Sequence, residues 1–142
     1  AGAAREVELR PALCWKTRVI YLKTVSPGSS ISYARTWTAG RQSRIATLAV
    51  GYADGYPRIL SNQSPVLIRG RRAPVVGRVT MDMTMIDVTD APDCRVGDEV
   101  VLIGDQGTER IDALELAAAS QSNAYEILCR IGERVPRQVN HG

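Results

Sequence analysis

The chain has 142 residues, a formal net charge of +3 and 44% hydrophobic residues. A single domain of this length buries a real core. No stretch approaches the roughly 18 apolar residues that a membrane-spanning helix needs, so the sequence predicts no membrane partner. The N-terminal AGAAREVELRP has no apolar segment of the kind found in secretion signals. We interpret residues 1–8 as a linker or an expression remnant and residues 9–142 as the domain.

The predicted strands follow one another along most of the chain as short apolar runs bounded by turn residues. The run at residues 44–52 is almost continuously apolar, which predicts a central strand. The predicted strand regions are residues 17–25, 31–37, 44–52, 64–79 (a hairpin turning at Gly70), 83–90 and 94–107.

The segment SISYARTWTA, residues 30–39, has an unusual pattern for a strand. Ile31, Tyr33, Arg35 and Trp37 would share one face by the period of two, and small, mostly hydroxyl-bearing residues would share the other. Neither face resembles an ordinary apolar core face, although Tyr33 taken alone is best interpreted as an ordinary half-buried tyrosine.

One helix is predicted after the strands. Asp112 can cap its start, and Glu115 follows three positions later in the manner of a capping box. The stretch NAYEILCRIGERVPRQV fits a helix or a strand, and Pro136 ends any helix there. The fold class predicted from the whole pattern is mainly β, a Greek-key-like β-barrel or sandwich with one or two short helices.

The cysteines and the single histidine exclude several kinds of site. Cys14, Cys94 and Cys129 are far apart and form no CxxC pair. This argues against a disulfide framework or a zinc site and predicts a reducing, cytoplasmic location. His141 stands beside the C-terminus, so we expect neither a Ser-His-Asp or Cys-His catalytic unit nor a metal site.

Two stretches have both a structural and a functional interpretation. VGYADGYPR contains a strong turn dipeptide, Asp54-Gly55, yet Tyr52, Tyr56 and Arg58 could line a mouth for a small anionic ligand. RGRR, residues 69–72, fits a solvated hairpin turn better than a nucleic-acid patch, because no aromatic residues are interleaved with it.

The methionines of VGRVTMDMTMIDV would share one strand face. Met81, Met83 and Met85 are two positions apart, and core packing is the favoured interpretation. Asp82 would face the other way, towards Arg78, as a surface pair.

Taken together and in this order, SYARTWTA, VGYADGYPR, GRRAPVVGRVTMDMTMIDVT, VGDEVVLIG and NAYEILCRI…RVPR resemble the C-terminal domain of bacterial alanine racemase. The resemblance implies an isomerase that uses pyridoxal 5'-phosphate (PLP) to convert L-alanine to D-alanine for peptidoglycan precursors. It also implies a homodimer in which this domain contacts the N-terminal barrel domains of its own and the partner subunit. The lysine that forms a Schiff base with PLP lies on that barrel, outside this chain.

The resemblance implies roles for seven residues. These are Tyr33 as the catalytic base, Met81 at the substrate carboxylate through its backbone, Tyr125 at the cofactor phosphate, and Tyr52, Arg58, Arg78 and Asp82 along the access corridor to the active site. Two positions depart from the family pattern, since Ala34 replaces a usual glycine and Thr80 a frequent cysteine.

Because the barrel and its lysine are absent, the isolated chain is predicted to be inactive. Lys16 and Lys23 flank an apolar run, which indicates solvated strand ends rather than a substitute cofactor lysine. The alternatives to the racemase interpretation are a stand-alone β-barrel that binds a small ligand and a basic nucleic-acid-binding barrel, although no nucleic-acid partner is predicted for the racemase domain.

Overall fold

The computed structural model describes residues 12–31 and 35–140 and consists mainly of antiparallel strands. The strands are β1 (Trp15–Val25), β2 (Ser30–Ile31), β3 (Trp37–Thr38), β4 (Ser43–Leu48), β5 (Pro65–Ile68), β6 (Arg71–Pro74), β7 (Thr84–Asp87), β8 (Glu99–Gln106) and β9 (Glu109–Ile111). The helices are α1 (Ala113–Ala119) and α2 (Ala124–Arg130).

Six of these strands form a barrel. They are hydrogen-bonded in the order β6-β5-β8-β1-β4-β7, and β9 extends β8 as a hairpin. An isolated bridge between Val75 and Ile86 joins the two ends of this order, and the Val76 amide donates to the Met85 carbonyl at 2.9 Å. The predicted barrel with two short helices is therefore confirmed.

The core fills the barrel and continues outside it, beneath the helices. Val100, Val101 and Leu102 of β8 are all fully buried, although alternate residues of a strand point to opposite faces. Both faces of β8 are covered because Leu116 of α1 and Ile127 of α2 belong to the same apolar cluster. The continuous apolar run of β8 thus reflects burial on two sides.

Each helix begins at a residue whose side chain caps it. The Asp112 carboxylate accepts from the Glu115 amide at 2.8 Å, as the sequence predicted for α1. The Asn123 side chain accepts from the Glu126 amide at 2.9 Å, so the stretch with two interpretations is a helix in its first half.

The prediction of one strand across residues 31–37 is wrong in the part that the structure describes. β2 and β3 pair with each other, and Ile31 lies opposite Trp37. Arg35 has a φ of +50°, which lies in the left-handed region and not in the extended region of a strand. The chain therefore reverses between Ile31 and Trp37, while Tyr33 and Ala34 lie outside the described residues.

One rim of the barrel gathers four strand ends. β4 ends at Leu48, opposite Thr84 at the start of β7, and β5 starts at Pro65, opposite Pro74 near the end of β6. The loops that leave these positions are hydrogen-bonded to one another, and most of the predicted site residues belong to them. No described helix is long and apolar enough to cross a membrane.

Candidate functional site

Two rim loops approach each other closely enough to share backbone hydrogen bonds. The Tyr52 amide donates to the Thr80 carbonyl at 2.9 Å, and the Ala53 amide donates to the Met81 carbonyl at 3.0 Å. Gly51 allows this approach, because a Cβ there would lie 2.3 Å from the Thr80 carbonyl oxygen. The 3-10 turn Tyr52–Asp54 and the loop at residues 80–83 thus form one unit.

The loop before β7 is a compact turn and does not extend the strand. Its hydroxyl-bearing residue Thr80 donates to the Met83 carbonyl at 2.9 Å and accepts from the Met83 amide at 3.2 Å. The predicted core stripe of methionines is therefore wrong for Met81 and Met83, which are 53% and 44% exposed. Met85 lies in β7 and packs on the smaller apolar cluster.

A third segment joins the two loops through an arginine. Arg134 Nε donates to Asp54 Oδ1 and Arg134 Nη2 donates to Asp82 Oδ1, each at 2.6 Å. The other Asp54 oxygen accepts from the Gly51 amide at 2.9 Å. The two carboxylates raise the pKa of Arg134, so its charge is held. Asp82 forms a surface ion pair with Arg134, a residue that the sequence interpretation had not placed beside it.

The end of α2 is fixed against the same unit. The Gly132 amide donates to the Asp54 carbonyl at 2.9 Å. Gly55 has a φ of +103°, and a Cβ there would lie 2.0 Å from the Arg130 carbonyl oxygen, so no other residue fits. Tyr125, one turn and a half earlier on α2, is 82% exposed and lies roughly 8 Å from Arg130 along the axis at ~1.5 Å per residue.

The remaining two corridor residues belong to adjoining segments of the rim. Arg58 begins the 3-10 turn Arg58–Leu60 and is exposed. The Ser61 hydroxyl donates to the Arg58 carbonyl at 2.6 Å and accepts from the Val79 amide at 2.8 Å, which places half-buried Arg78 beside this turn. Tyr52, Arg58, Arg78, Met81 and Asp82 therefore come together on one rim.

The mouth of two phenols that the sequence suggested does not exist. Tyr56 is 1% exposed and packs edge-on against Trp15, with ring centroids 6.0 Å apart. Burial raises the pKa of its hydroxyl, which is the opposite of what a proton acceptor needs. Only Tyr52, at 44% exposure, presents its ring at the rim.

Two of the three arginines of the dense basic segment pair with carboxylates. Arg69 pairs bidentately with Asp98 at 2.7 and 2.9 Å. Arg72 reaches Glu109 at 3.1 Å and Glu115 at 2.9 Å. Arg69 and Gly70 form the turn of the predicted hairpin, with φ values of +51° and +72°. This arrangement supports the hairpin interpretation and removes the argument for a nucleic-acid patch.

Both lysines lie within β1. Lys16 forms an ion pair with Glu99 at 2.9 Å, and this hydrogen bond raises its pKa. The ion pair favours the protonated amine, whereas imine formation uses the neutral amine, so this contact does not favour Lys16 as the residue that holds PLP. Among the described residues, no group of three or more metal-ligating side chains comes together.

Sequence reasoning missed Arg134. The segment RVPR carries it and belongs to the stretches that resemble the racemase domain. Its role depends on two carboxylates that lie 80 and 52 positions away in the sequence, so no local pattern identifies it.

Comparison with known proteins shows which family the chain resembles. A family model described as "Alanine racemase, C-terminal domain" matches residues 12–139. Alanine racemase of Halothermothrix orenii is 61% identical over 135 residues, covering 95% of this chain and 36% of that protein. The chain thus spans about a third of the length of this relative.

Solved structures show the same likeness. The biosynthetic alanine racemase of Pseudomonas aeruginosa superposes with a TM-score of 0.87 at 44% identity and covers 94% of this chain and 36% of that one. Alanine racemase of Bartonella henselae, described with covalently bound pyridoxal phosphate, has a TM-score of 0.80 at 33% identity, covering 87% of this chain and 33% of that one. The chain therefore belongs to the family of alanine racemase C-terminal domains.

Proposed function

We propose that this domain is the C-terminal part of a PLP-dependent alanine racemase that interconverts L-alanine and D-alanine. The observation that carries the proposal is the convergence of Tyr52, Arg58, Arg78, Met81 and Asp82 on one rim of the barrel. The relatives are about three times longer than this chain, which supports a partner domain that completes the site. In a bacterium the D-alanine would serve peptidoglycan precursor synthesis.

Tyr33 is the proposed base on one face of the substrate. Racemisation requires that the α-proton leaves one face and returns on the other, so two bases are needed. A phenol has an ordinary pKa near ~10 and would need lowering by about 3 units, or roughly 4 kcal/mol, to act near pH 7. We assign that lowering of the Tyr33 pKa to cations of the barrel domain, as the family resemblance suggests.

The residues of this chain fit PLP at its phosphate end only. Tyr125 is an exposed phenol on a helix whose end is fixed against the rim, so its hydroxyl can donate to a phosphate oxygen. When bound, PLP supplies the electron sink that makes loss of the α-proton possible. As the family resemblance implies, we propose that the lysine that binds PLP belongs to the barrel, since Lys16 is engaged by Glu99.

Met81 and the corridor residues serve the substrate. The Thr80 carbonyl, which shares a peptide plane with the Met81 amide, accepts from the Tyr52 amide. This contact fixes that peptide group and lets the Met81 backbone amide serve as a donor to the alanine carboxylate. Arg58, exposed at the rim, attracts that carboxylate, and Asp82 attracts the ammonium group. Tyr52 limits the width of the passage.

The experiment that tests this proposal replaces Tyr33 in the full-length racemase. Tyr33→Phe keeps the ring and removes the proton acceptor, so kcat should fall by at least about 100-fold in both directions. PLP absorption of the purified protein should change little. Tyr21→Phe is the matched control, because Tyr21 is a 58% exposed phenol on β1, and it should keep full activity. Near-normal turnover in the Tyr33 variant would refute the assignment.

A further inference from the structure

Arg134 contacts two rim loops, the Tyr52–Asp54 turn and the loop at residues 80–83. Its guanidinium contacts Asp54, which belongs to the turn with Tyr52, and Asp82, which directly follows Met81. Each contact is 2.6 Å long and uses a different nitrogen, so the planar group is shared between the two loops.

The two carboxylates differ in how much they depend on this arginine. The Asp54 side chain is 14% exposed and also accepts from the Gly51 amide, so it is placed by the turn itself. The Asp82 side chain is 60% exposed, and Arg134 ties it to the rest of the rim. Removing Arg134 therefore leaves Asp54 in place and removes the contact that joins Asp82 to the Tyr52 turn.

Arg134 is itself held in position by the segment around it. The Gly132 amide binds the Asp54 carbonyl, and Arg137 donates to the carbonyls of Gly132 at 2.6 Å and Ile131 at 2.9 Å. These contacts fix residues 131–137 at the end of α2, the helix that carries Tyr125. The guanidinium is thus presented to the two loops from a fixed base.

We propose that Arg134 is a positioning residue that holds the Met81–Asp82 loop against the Tyr52 turn and so sets the substrate side of the active site. The inference rests on the proposed racemase function. Arg134 contacts no reacting atom in this role, and its effect passes through Asp82 and the backbone of Met81.

The first measurement is amide hydrogen exchange on this chain, which needs neither cofactor nor substrate. The amides of Tyr52 and Ala53 donate to the Thr80 and Met81 carbonyls, and these two hydrogen bonds connect the loops. In Arg134→Gln these two amides should exchange at least tenfold faster, because local separation of the two loops becomes easier. Arg134→Lys keeps the charge but can satisfy only one carboxylate well, so it should give an intermediate rate.

The second measurement is the kinetics of the full-length racemase with the same substitutions. Arg134→Gln should raise KM for alanine about fivefold and change kcat less than twofold, which is the pattern of lost ground-state positioning. Arg134→Lys should recover part of the KM. Asp82→Asn should reproduce most of the KM effect and leave little further effect for Arg134→Gln in the double variant.

Arg69→Gln is the matched control for both measurements. Arg69 also pairs with a largely buried aspartate, since its partner Asp98 is 17% exposed, but it lies at the other end of β5. It should leave the Tyr52 and Ala53 exchange rates and KM unchanged.

The outcomes separate this inference from the proposed function. Exchange rates and KM in Arg134→Gln that match those of Arg69→Gln would overturn the inference, while wild-type turnover and its loss in Tyr33→Phe would still support the racemase. Faster exchange with unchanged KM would also overturn it. A full-length protein without turnover would overturn the proposed function, and with it the substrate-positioning role.

Discussion

At the scale of single residues, Gly51 shows how a missing side chain builds the site. Its φ of −150° is accessible to any residue, so the constraint is space and not backbone strain. A Cβ would lie 2.3 Å from the Thr80 carbonyl oxygen and 2.4 Å from that of Met81. Gly51→Ala should therefore push the two loops apart and destabilise the fold by about 1–3 kcal/mol, measured by urea denaturation.

Gly40→Ala is the control for this change. No atom lies within 4 Å of the Cβ that it would add, so its effect should stay within about 0.5 kcal/mol. Equal unfolding midpoints for the two variants would show that the close approach at Gly51 does not exist.

The tyrosines show the limit of sequence reasoning at this scale. Tyr52 and Tyr56 stand four positions apart in one motif, and the sequence suggested the same role for both. Contact with Trp15 buries Tyr56, and that contact depends on the path of β1. The resemblance to a known family named Tyr52 and not Tyr56, and Tyr52 is the one of the two that is exposed. Residue type alone could not distinguish them.

At the scale of elements, prediction succeeded where the local chemistry is self-contained. The turn at Gly70 and the cap at Asp112 each depend on residues within three or four positions, and both are confirmed. The segment at residues 31–37 was predicted wrongly because the period of two cannot reveal a reversal. The reversal instead lets Ile31 and Trp37 pack on the same small cluster with Ile45.

The ion pair between Arg69 and Asp98 links two turns and gives a prediction of pH dependence. The hydrogen bonds from Arg69 lower the pKa of Asp98 below its ordinary value near ~4. The pair therefore contributes its full stabilisation above that ordinary pKa and loses it as the pH falls through the lower folded value. Asp98→Asn should flatten the acid limb of stability measured by urea denaturation between about pH 5 and pH 2.

Arg69→Gln tests the cause of this behaviour. It removes the cation that lowers the Asp98 pKa, so it should flatten the same part of the curve, and the double variant should add little. An acid limb that is unchanged in Arg69→Gln would assign the effect to the Arg95 backbone amide, which also donates to Asp98 at 2.9 Å.

At the scale of the whole molecule, the barrel brings distant segments of sequence to one rim. The registers Leu48–Thr84 and Pro65–Pro74 decide which loops meet, and neither register can be read from a local motif. Local patterns predicted the strands, and the family resemblance named the candidate site residues. The placement of these residues on one rim, and the contacts of Arg134 with Asp54 and Asp82, could be found only from the three-dimensional structure.

Also at the scale of the whole molecule, we predict that the isolated chain does not racemise alanine. It spans about a third of its relatives, and its lysines lie in β1, where Lys16 is paired with Glu99. Mixed with PLP, the isolated chain should show no stoichiometric visible absorption from bound cofactor and no conversion of L-alanine to D-alanine, assayed by chiral chromatography. The full-length protein under the same conditions should show both. Racemisation moves the α-proton from one face of the substrate to the other, and Tyr33 is the one base proposed for this chain. Turnover by the isolated chain would therefore require a second base and a cofactor lysine within its 142 residues.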